Sequence, residues 1–130
     1  TLGICLGMQI LTQSSEEGIL NGLNLIAAKT LRFNFEKNDK NLKIPHMGWN
    51  YVKIKKDNAL FKNMSENSRF YFVHSYYVQC LNDEHIIATT NYGINFCSSF
   101  QKKNIFAVQF HPEKSHKFGM QLFKNFIEFC

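Results

Sequence analysis

The sequence lacks the features that would place the protein in a membrane, in a disulfide scaffold or around a metal ion. No apolar run in its 130 residues is long enough to span a bilayer, and no charged and then apolar leader opens it. Its four cysteines show no C-x-x-C spacing, and no spacing of histidine and cysteine indicates a metal site. We therefore expect reduced thiols in a cytoplasmic protein, with neither a metal nor a cofactor.

Internal repeats, a glycine-rich phosphate loop and concentrated charge are also lacking. The formal charge of +5 comes mostly from scattered lysines. The one basic stretch, residues 53–56, alternates as a half-exposed strand does, so we expect a solvated lysine face and no nucleic-acid partner. What the chain has in quantity is apolar surface: 45% of its residues are hydrophobic and 13 are Phe. That composition is ample for the core of one domain over residues 1–130.

The most informative stretch is residues 3–9, Gly-Ile-Cys-Leu-Gly-Met-Gln. Its G-x-C-x-G pattern is the cysteine form of the nucleophile elbow, a sharp strand-to-helix turn that holds a nucleophile clear of its own chain. We expect Gly3 and Gly7 to flank Cys5 because side chains there would collide. The helix N-terminus beneath the sulfur favours the thiolate, and the Leu6 N–H points toward a developing oxyanion. The alternative is a small buried cysteine in a glycine-rich turn.

The hydrophobic pattern predicts a mixed α/β chain with an opening of the parallel type. A buried parallel strand is expected to end at residues 2–4, and a helix to run from Leu6 to about Gln13, where residues 14–18 break it. Later strands, of which the last three pair antiparallel across short turns, are expected over residues 25–35, 51–55, 69–79, 86–90, 94–100 and 105–110.

The remaining segments are assigned by composition. Residues 36–43 are charged and rich in Asn, which is typical of a surface turn. Residues 44–50 hold the only Trp of the chain, and their hydrophobic pattern has no clean periodicity. We therefore expect a loop that covers an edge of the core or contacts a partner. Ser115 is expected to cap a final helix. The apolar stripe of that helix packs into the core and consists of Phe118, Leu122, Phe126 and Phe129.

The last strand delivers His111, Pro112 and Glu113. Proline biases His111 toward an extended conformation, in which residues i and i+2 share a face about 6.5 Å apart. Glu113 can therefore hydrogen-bond the imidazole, which is the base and orienter that a nucleophile needs. Alone, the pair is typical of a turn histidine with a surface acid. With Cys5 as the nucleophile, His111 as the base and Glu113 as the residue that orients the base, the three groups of a catalytic triad are present at strand ends.

These motifs resemble those of the class I, triad-type glutamine amidotransferases. Residues 3–9 and 110–115 carry the superfamily pattern, while residues 45–50 and 71–76 narrow the likeness to the glutaminase subunits of imidazole glycerol phosphate synthase. The likeness covers essentially the whole chain. It implies an α/β fold with a mixed sheet flanked by helices, of which this chain is the C-terminal portion only. The N-terminal strands and the glycine loop that supplies a second oxyanion N–H are expected to be missing.

The resemblance also implies roles for individual residues. Cys5 would attack the side-chain amide of glutamine to form a glutamyl thioester and release ammonia, while His111 moves the protons and Glu113 orients it. Glu17, which by position alone is either a ligand contact or a solvated loop acid, and His74, which by spacing alone is structural, both join the glutamine pocket. The residues implied to bind glutamine are Leu6, Gly7, Gln9, Glu17, His74, Ser75 and Tyr76.

A partner follows from the same resemblance. It is a (β/α)8-barrel cyclase subunit that forms a heterodimer with the glutaminase and uses its ammonia in histidine biosynthesis. The residues implied to face that subunit are Met47, Trp49, Asn50, Tyr71 and Lys114.

Two alternatives stay open. A paralogue would deliver ammonia to another enzyme, such as one of a surface-sugar pathway, whereas a non-catalytic interaction module would keep the fold without turnover. The intact Cys5, His111 and Glu113 argue against the module. We further expect this chain, made alone, to be insoluble or molten and inactive, because strands beside the elbow would be unpaired.

Overall fold

The computed structural model describes residues 1–18, 21–35 and 42–130. Within these ranges it contains ten strands and two α-helices. In chain order they are β1 (Leu2–Ile4), α1 (Leu6–Gln9), β2 (Ser14–Ser15), β3 (Ala28–Arg32), β4 (His46–Tyr51), β5 (Lys53–Ile54), β6 (Arg69–His74), β7 (Tyr76–Cys80), β8 (Ile86–Tyr92), β9 (Ile94–Lys102), β10 (Ile105–Val108) and α2 (His116–Phe129). Short 3₁₀ turns occur at Ala59–Phe61, Asp83–His85 and Pro112–Lys114. No helix in the described ranges is long and apolar enough to cross a membrane.

Eight of the strands in the described residues form one mixed sheet. Its main path has the order β1-β10-β9-β7-β3-β2, while β8 pairs with β9 and β5 with β8. The strands β1 and β10 run parallel, as do β2 and β3, and the other pairs are antiparallel. The predicted mixed α/β architecture is therefore confirmed. Because β1 lies beside β10, residues 3–9 approach residues 109–113 from the far end of the sequence.

The strands β4 and β6 form a separate two-stranded sheet, which we call the β4–β6 ribbon. A single strand was predicted over 69–79, and this is wrong: the chain leaves the ribbon at Ser75 and enters the main sheet as β7. The loop predicted over 44–50 is also wrong. The strand β4 does alternate, but its large apolar side chains, Met47 and Trp49, face outward. The strand was not predicted because a half-buried strand normally turns its large apolar side chains toward the core, and β4 turns them toward solvent.

The first helix is shorter than predicted, because α1 ends at Gln9 and residues 14–15 form β2 where a break was expected. Thr12 explains the early end. Its hydroxyl lies 2.7 Å from the Gln9 carbonyl oxygen and 2.9 Å from the Thr30 hydroxyl on β3. A threonine that bonds the carbonyl of the last turn competes with helix continuation and ties the chain to the sheet.

The core is aromatic and lies where the ribbon, the main sheet and α2 meet. Phe70 stacks on Phe110 with ring centroids 3.9 Å apart, and Leu122 of α2 is fully buried beside them. The stripe predicted for α2 packs against this core through Phe118 and Phe126, whereas Phe129 is 43% exposed. The surface turn predicted over 36–43 lies outside the described residues, apart from its last two positions.

Candidate active site

The turn between β1 and α1 holds Cys5 in a conformation that few residues other than glycine adopt. Its φ of 52° and ψ of −108° lie outside the regions that suit L side chains. The strand ends at Ile4, the helix begins at Leu6, and the Cys5 N–H donates to the carbonyl oxygen of Val108 at 2.9 Å. The strand–turn–helix geometry predicted for residues 3–9 is present, and it is fastened to the end of β10.

The two glycines beside Cys5 play different parts. A Cβ atom on Gly3 would lie 2.8 Å from the carbonyl oxygen of Gly7, so the expected collision exists there. A Cβ atom on Gly7 would meet nothing within 4 Å. The expectation that both positions exclude side chains is therefore wrong for Gly7, whose backbone is the obstacle that Gly3 avoids.

The Cys5 thiol has a raised pKa, and the cause is burial, which disfavours the charged thiolate. The Leu6 N–H and the Gln109 side chain lower the pKa by donating to the sulfur, while the carboxylates of Glu113 and Glu17 raise it further. The helix N-terminus acts in the expected direction, because the Leu6 N–H lowers the pKa, but burial has the larger effect.

The imidazole of His111 is held by a carboxylate. Its Nδ1 lies 2.5 Å from Oε1 of Glu113, and the residue has the extended backbone that the following proline predicts. The N–H of His111 donates to the Tyr71 carbonyl oxygen of β6 at 2.9 Å. Ser115 closes this arrangement, because its hydroxyl donates to the His111 carbonyl and accepts from the Tyr71 N–H. Its side chain caps no helix N–H, so the predicted capping role of Ser115 is wrong.

Cys5 and His111 lie along the same edge of β6. The Cys5 sulfur lies 3.9 Å from the Val73 carbonyl oxygen, and His111 bridges to Tyr71 two residues earlier. Carbonyl groups two residues apart in a strand point the same way and are about 7 Å apart. Within the described residues the sulfur makes no hydrogen bond to the imidazole and instead faces Gln109 and Val73. A thiol beside a carboxylate-oriented imidazole is suited to nucleophilic acyl transfer, and such contacts are often loose before substrate binds.

Comparison with protein families decides the class to which this arrangement belongs. The model of the family described as glutamine amidotransferase class-I matches residues 1–129. The chain belongs to the class-I glutamine amidotransferase family. Among curated relatives, it is 61% identical over 127 residues to imidazole glycerol phosphate synthase subunit HisH 2 of Methanococcus maripaludis, covering 98% of this chain and 61% of that protein. It is 55% identical over 128 residues to the HisH subunit of Buchnera aphidicola, covering 98% and 62%.

Solved structures of the family share the fold. A glutamine amidotransferase from Thermotoga maritima superposes with a TM-score of 0.63 at 24% identity, covering 98% of this chain and 44% of that one. The chain spans 61–62% of the length of the curated relatives named above. The family and the fold of this chain are therefore shown.

A pocket of about 380 Å³ lies beside the elbow of this family member. Three of the residues implied to bind glutamine line it, namely Leu6, Gln9 and Glu17. Its other lining residues are Ile10, Ser15, Asn21, Gly22 and Leu23. A larger cavity of about 1460 Å³ runs along residues 50–64 and includes neither the elbow nor His111, so its size does not make it the site of the chemistry.

The other residues implied to bind glutamine are not among those that line the pocket. Gly7 lies on α1, and the buried His74 turns toward His46 of β4. Tyr76 is linked to the pocket only through Gln9, whose Nε2 donates to the Tyr76 carbonyl oxygen at 3.1 Å. Gln9 is itself 6% exposed.

Sequence reasoning missed Gln109 altogether. It is fully buried, and its Nε2 lies 3.7 Å from the Cys5 sulfur. The available signal was a polar side chain within the apolar run of residues 105–110, since buried polar groups need partners. The pairing of His46 with His74 was missed as well, because it joins two strands whose partnership has no local signature.

Of the five residues implied to face a partner, four lie together on one surface and Asn50 does not. Met47 and Trp49 are exposed, Trp49 lies edge-on to Tyr71 with centroids 6.3 Å apart, and the Lys114 ammonium lies 6.0 Å from the Tyr71 ring. These four residues form one surface, which we call the aromatic face. Asn50 lies on the opposite side of β4, where its Nδ2 donates to the Asn91 carbonyl at 3.0 Å and to Nε2 of His46 at 3.1 Å.

Proposed function

We propose that this chain carries a glutaminase site that hydrolyses the side-chain amide of glutamine. The observation that carries the proposal is the strained Cys5 placed on the same edge of β6 as the His111–Glu113 pair. Membership of the class-I glutamine amidotransferase family supports it.

The chemistry follows from the groups on that edge. The Cys5 sulfur attacks the amide carbon while His111 accepts the thiol proton, and the Leu6 N–H donates to the oxyanion that forms. His111 then protonates the leaving nitrogen, which departs as ammonia and leaves a glutamyl thioester. Water attacks the thioester with His111 again as the base, so that glutamate is released and the thiol returns. Glu113 keeps the imidazole oriented and stabilises its charged form.

Glutamine would be held in the 380 Å³ pocket beside α1. The carboxylate of Glu17 suits the α-ammonium group of an amino acid. Among the described residues, no donor reaches Oε1 of Gln9, so this oxygen offers an acceptor to the same ligand. The raised pKa of Cys5 keeps the thiol protonated in the empty site, and the proton is removed when substrate brings base and nucleophile together.

We propose further that the ammonia is delivered to a (β/α)8-barrel cyclase subunit in histidine biosynthesis, in a cytoplasmic heterodimer. The curated relatives named above are subunits of imidazole glycerol phosphate synthase, which supports this recipient. The aromatic face is the surface that we assign to the cyclase, because exposed Met, Trp and Tyr side chains are typical of protein interfaces. All four cysteines are free thiols, which suits a reducing compartment.

The experiment is glutamate release from glutamine by the full-length gene product, alone and with a cyclase subunit and its ribonucleotide substrate. We expect hydrolysis that rises strongly when both are added and that is lost in Cys5→Ala. The matched control is Cys130→Ala, which removes an exposed thiol at the end of α2 and leaves hydrolysis unchanged. Hydrolysis that survives in Cys5→Ala contradicts the mechanism. Hydrolysis that depends on Cys5 but ignores the cyclase points to the paralogous recipient.

A further inference from the structure

Gln109 lies between the Cys5 sulfur and the Gln9 side chain, and none of the proton transfers proposed above uses it. It follows β10 directly, between Val108, whose carbonyl anchors the Cys5 N–H, and Phe110 of the core. Its side chain is fully buried, and its own N–H donates to the Ser98 carbonyl at 2.9 Å. Burying an amide costs free energy unless its polar atoms form hydrogen bonds. The partners of the Gln109 amide therefore show what holds it in place.

The orientation of the Gln109 amide follows from a backbone carbonyl two contacts away. The Tyr76 carbonyl oxygen can only accept, so the Gln9 side chain must present its NH2 group there, at 3.1 Å. The same NH2 group meets Oε1 of Gln109, also at 3.1 Å. Gln109 must therefore offer its oxygen to Gln9 and its own NH2 group to the Cys5 sulfur, 3.7 Å away.

The same carbonyl also orients a second arm of hydrogen bonds. The Nδ1 of His74 donates to the Tyr76 oxygen at 2.7 Å, which leaves Nε2 of His74 as the acceptor for Nδ1 of His46 at 2.9 Å. The remaining ring nitrogen of His46 accepts from Asn50 at 3.1 Å. Every bond in both arms then has one donor and one acceptor, so the network is satisfied only with both histidines neutral.

We propose that Gln109 is a positioning residue for the nucleophile, with its side-chain NH2 group holding the Cys5 sulfur in place and Gln9 fixing the orientation of that group. This role rests on the proposed function of Cys5 as the nucleophile. An N–H donor aimed at sulfur binds the thiolate more tightly than the thiol, so Gln109 assists the step in which the proton leaves. Gln9, the residue that orients Gln109, also lines the pocket proposed to hold glutamine.

The test measures the reactivity of the sulfur rather than turnover alone. The full-length gene product is treated with iodoacetamide across a range of pH, and modification of Cys5 is quantified by mass spectrometry, separately from the exposed Cys130. The titratable groups that act on the sulfur are Glu113 and Glu17, and His111 lies on the same edge of β6; all three stay constant among the variants. The variant Gln109→Leu removes the donor at similar volume. We expect its alkylation midpoint to move upward by about one pH unit, because a hydrogen bond to the thiolate is lost.

Turnover distinguishes positioning from binding. We expect Gln109→Leu to lower kcat for glutamine by about tenfold with KM changed by less than about twofold, whereas Gln9→Leu raises KM because it also removes a pocket residue. The matched control is Asn125→Leu, which lies outside the site and removes three hydrogen bonds: those from its Nδ2 to the Leu60 and Lys62 carbonyls and the one its Oδ1 accepts from Gln121. It should lower stability while leaving the midpoint of Cys5 unchanged.

The proposal fails if the alkylation profile of Gln109→Leu superposes on that of the native protein. Should this variant not accumulate in folded form, Gln109→Glu replaces it, since a carboxylate keeps the acceptor for Gln9 and sets a negative charge beside the sulfur. A midpoint above the native one is then expected, and an unchanged midpoint overturns the proposal. The proposed function fails separately, if native protein with a titrating Cys5 releases no glutamate with the cyclase present.

Discussion

The two edges of β6 serve different purposes and are built in different ways. One edge receives Cys5 and His111, which arrive at the ends of β1 and β10 and are fastened there by backbone hydrogen bonds. The other edge pairs over its whole length with β4, which turns His46 inward and Trp49 outward. The first edge depends on unusual backbone conformations within short motifs. The second depends on ordinary strands whose cross-strand pairs decide what is buried and what is exposed.

Backbone strain and strand pairing leave different signals in the sequence. A strained turn needs glycine at a fixed spacing from the reactive residue, so a short sequence motif is enough to predict it. A cross-strand pair such as His46 and His74 needs only that two distant segments align in register. The hydrogen bonds through Tyr76, Gln9 and Gln109 then join the ribbon to the Cys5 sulfur.

The largest expected effect tests the catalytic edge. The change His111→Asn keeps a polar side chain but removes the group that accepts and returns the proton, so kcat for glutamine hydrolysis should fall by about a thousandfold. Glutamate release under saturating glutamine measures it. The matched control is His85→Asn, which lies in the short turn before β8 and should leave kcat within about twofold of the native value. Activity of His111→Asn within tenfold of native would show that another group moves the proton.

The buried edge is tested by pH. Burial lowers the pKa of His46 to about 3 and that of His74 to about 4, below the usual 6.5. Both folded-state values are depressed, so the unfolded chain binds more protons below pH 6.5 and the folded state loses stability as the pH falls toward 4. The two histidines together should account for a loss of about 4 kcal/mol between pH 6.5 and pH 4.5, about 2 kcal/mol each, measured by urea unfolding.

The double variant His46→Phe/His74→Phe isolates this contribution. Phenylalanine suits the aromatic surroundings of Phe33, Phe72 and Phe96, and it cannot titrate. Its unfolding free energy should therefore fall less steeply with acid than that of the native protein. Equal slopes would mean that the histidine pair is not neutral in the folded state.

A glycine pair sharpens the account of the elbow. In Gly3→Ala the new Cβ meets the Gly7 carbonyl oxygen, which is backbone and cannot rotate away, so α1 must shift at a cost of about 1 to 2 kcal/mol. In Gly7→Ala the new Cβ enters open space on a helix, and stability should stay the same or rise by up to about 1 kcal/mol. Chemical denaturation of both variants measures the difference. Equal losses would contradict the distinction between the two positions.

The smallest expected effect concerns the aromatic face. The change Trp49→Ala removes a half-exposed side chain that also stacks on His116, with ring centroids 5.7 Å apart. We expect affinity for the cyclase subunit to fall several-fold, on the order of 1 kcal/mol, as measured by calorimetry. The matched control is Ile127→Ala, because the side chain of Ile127 is exposed on the outer side of α2; this change should leave the affinity for the cyclase subunit unchanged. If the two variants bind equally well, the partner uses another surface.

The sequence allowed the local geometry around Cys5 and His111 to be predicted better than the surfaces that surround them. The strained Cys5 and the His111–Glu113 hydrogen bond follow from spacing alone, because glycine, proline and the strand repeat restrict the backbone locally. The pKa of Cys5 did not follow, since it depends on burial by residues far along the chain. Gln109 was missed for the same reason: its partners, Gln9 and Cys5, lie 100 or more positions away.

The α/β class, the strand–turn–helix at Cys5 and the hydrogen bond of His111 to Glu113 can be read from the sequence, because each depends on residues that are neighbours or nearly so. The position of β1 beside β10, the division of residues 69–79 between two sheets, and the outward Met47 and Trp49 with an inward His46 appear only in the folded chain. These outcomes depend on which distant strands pair and on how much surface each pairing removes from water. No short stretch of residues encodes that balance.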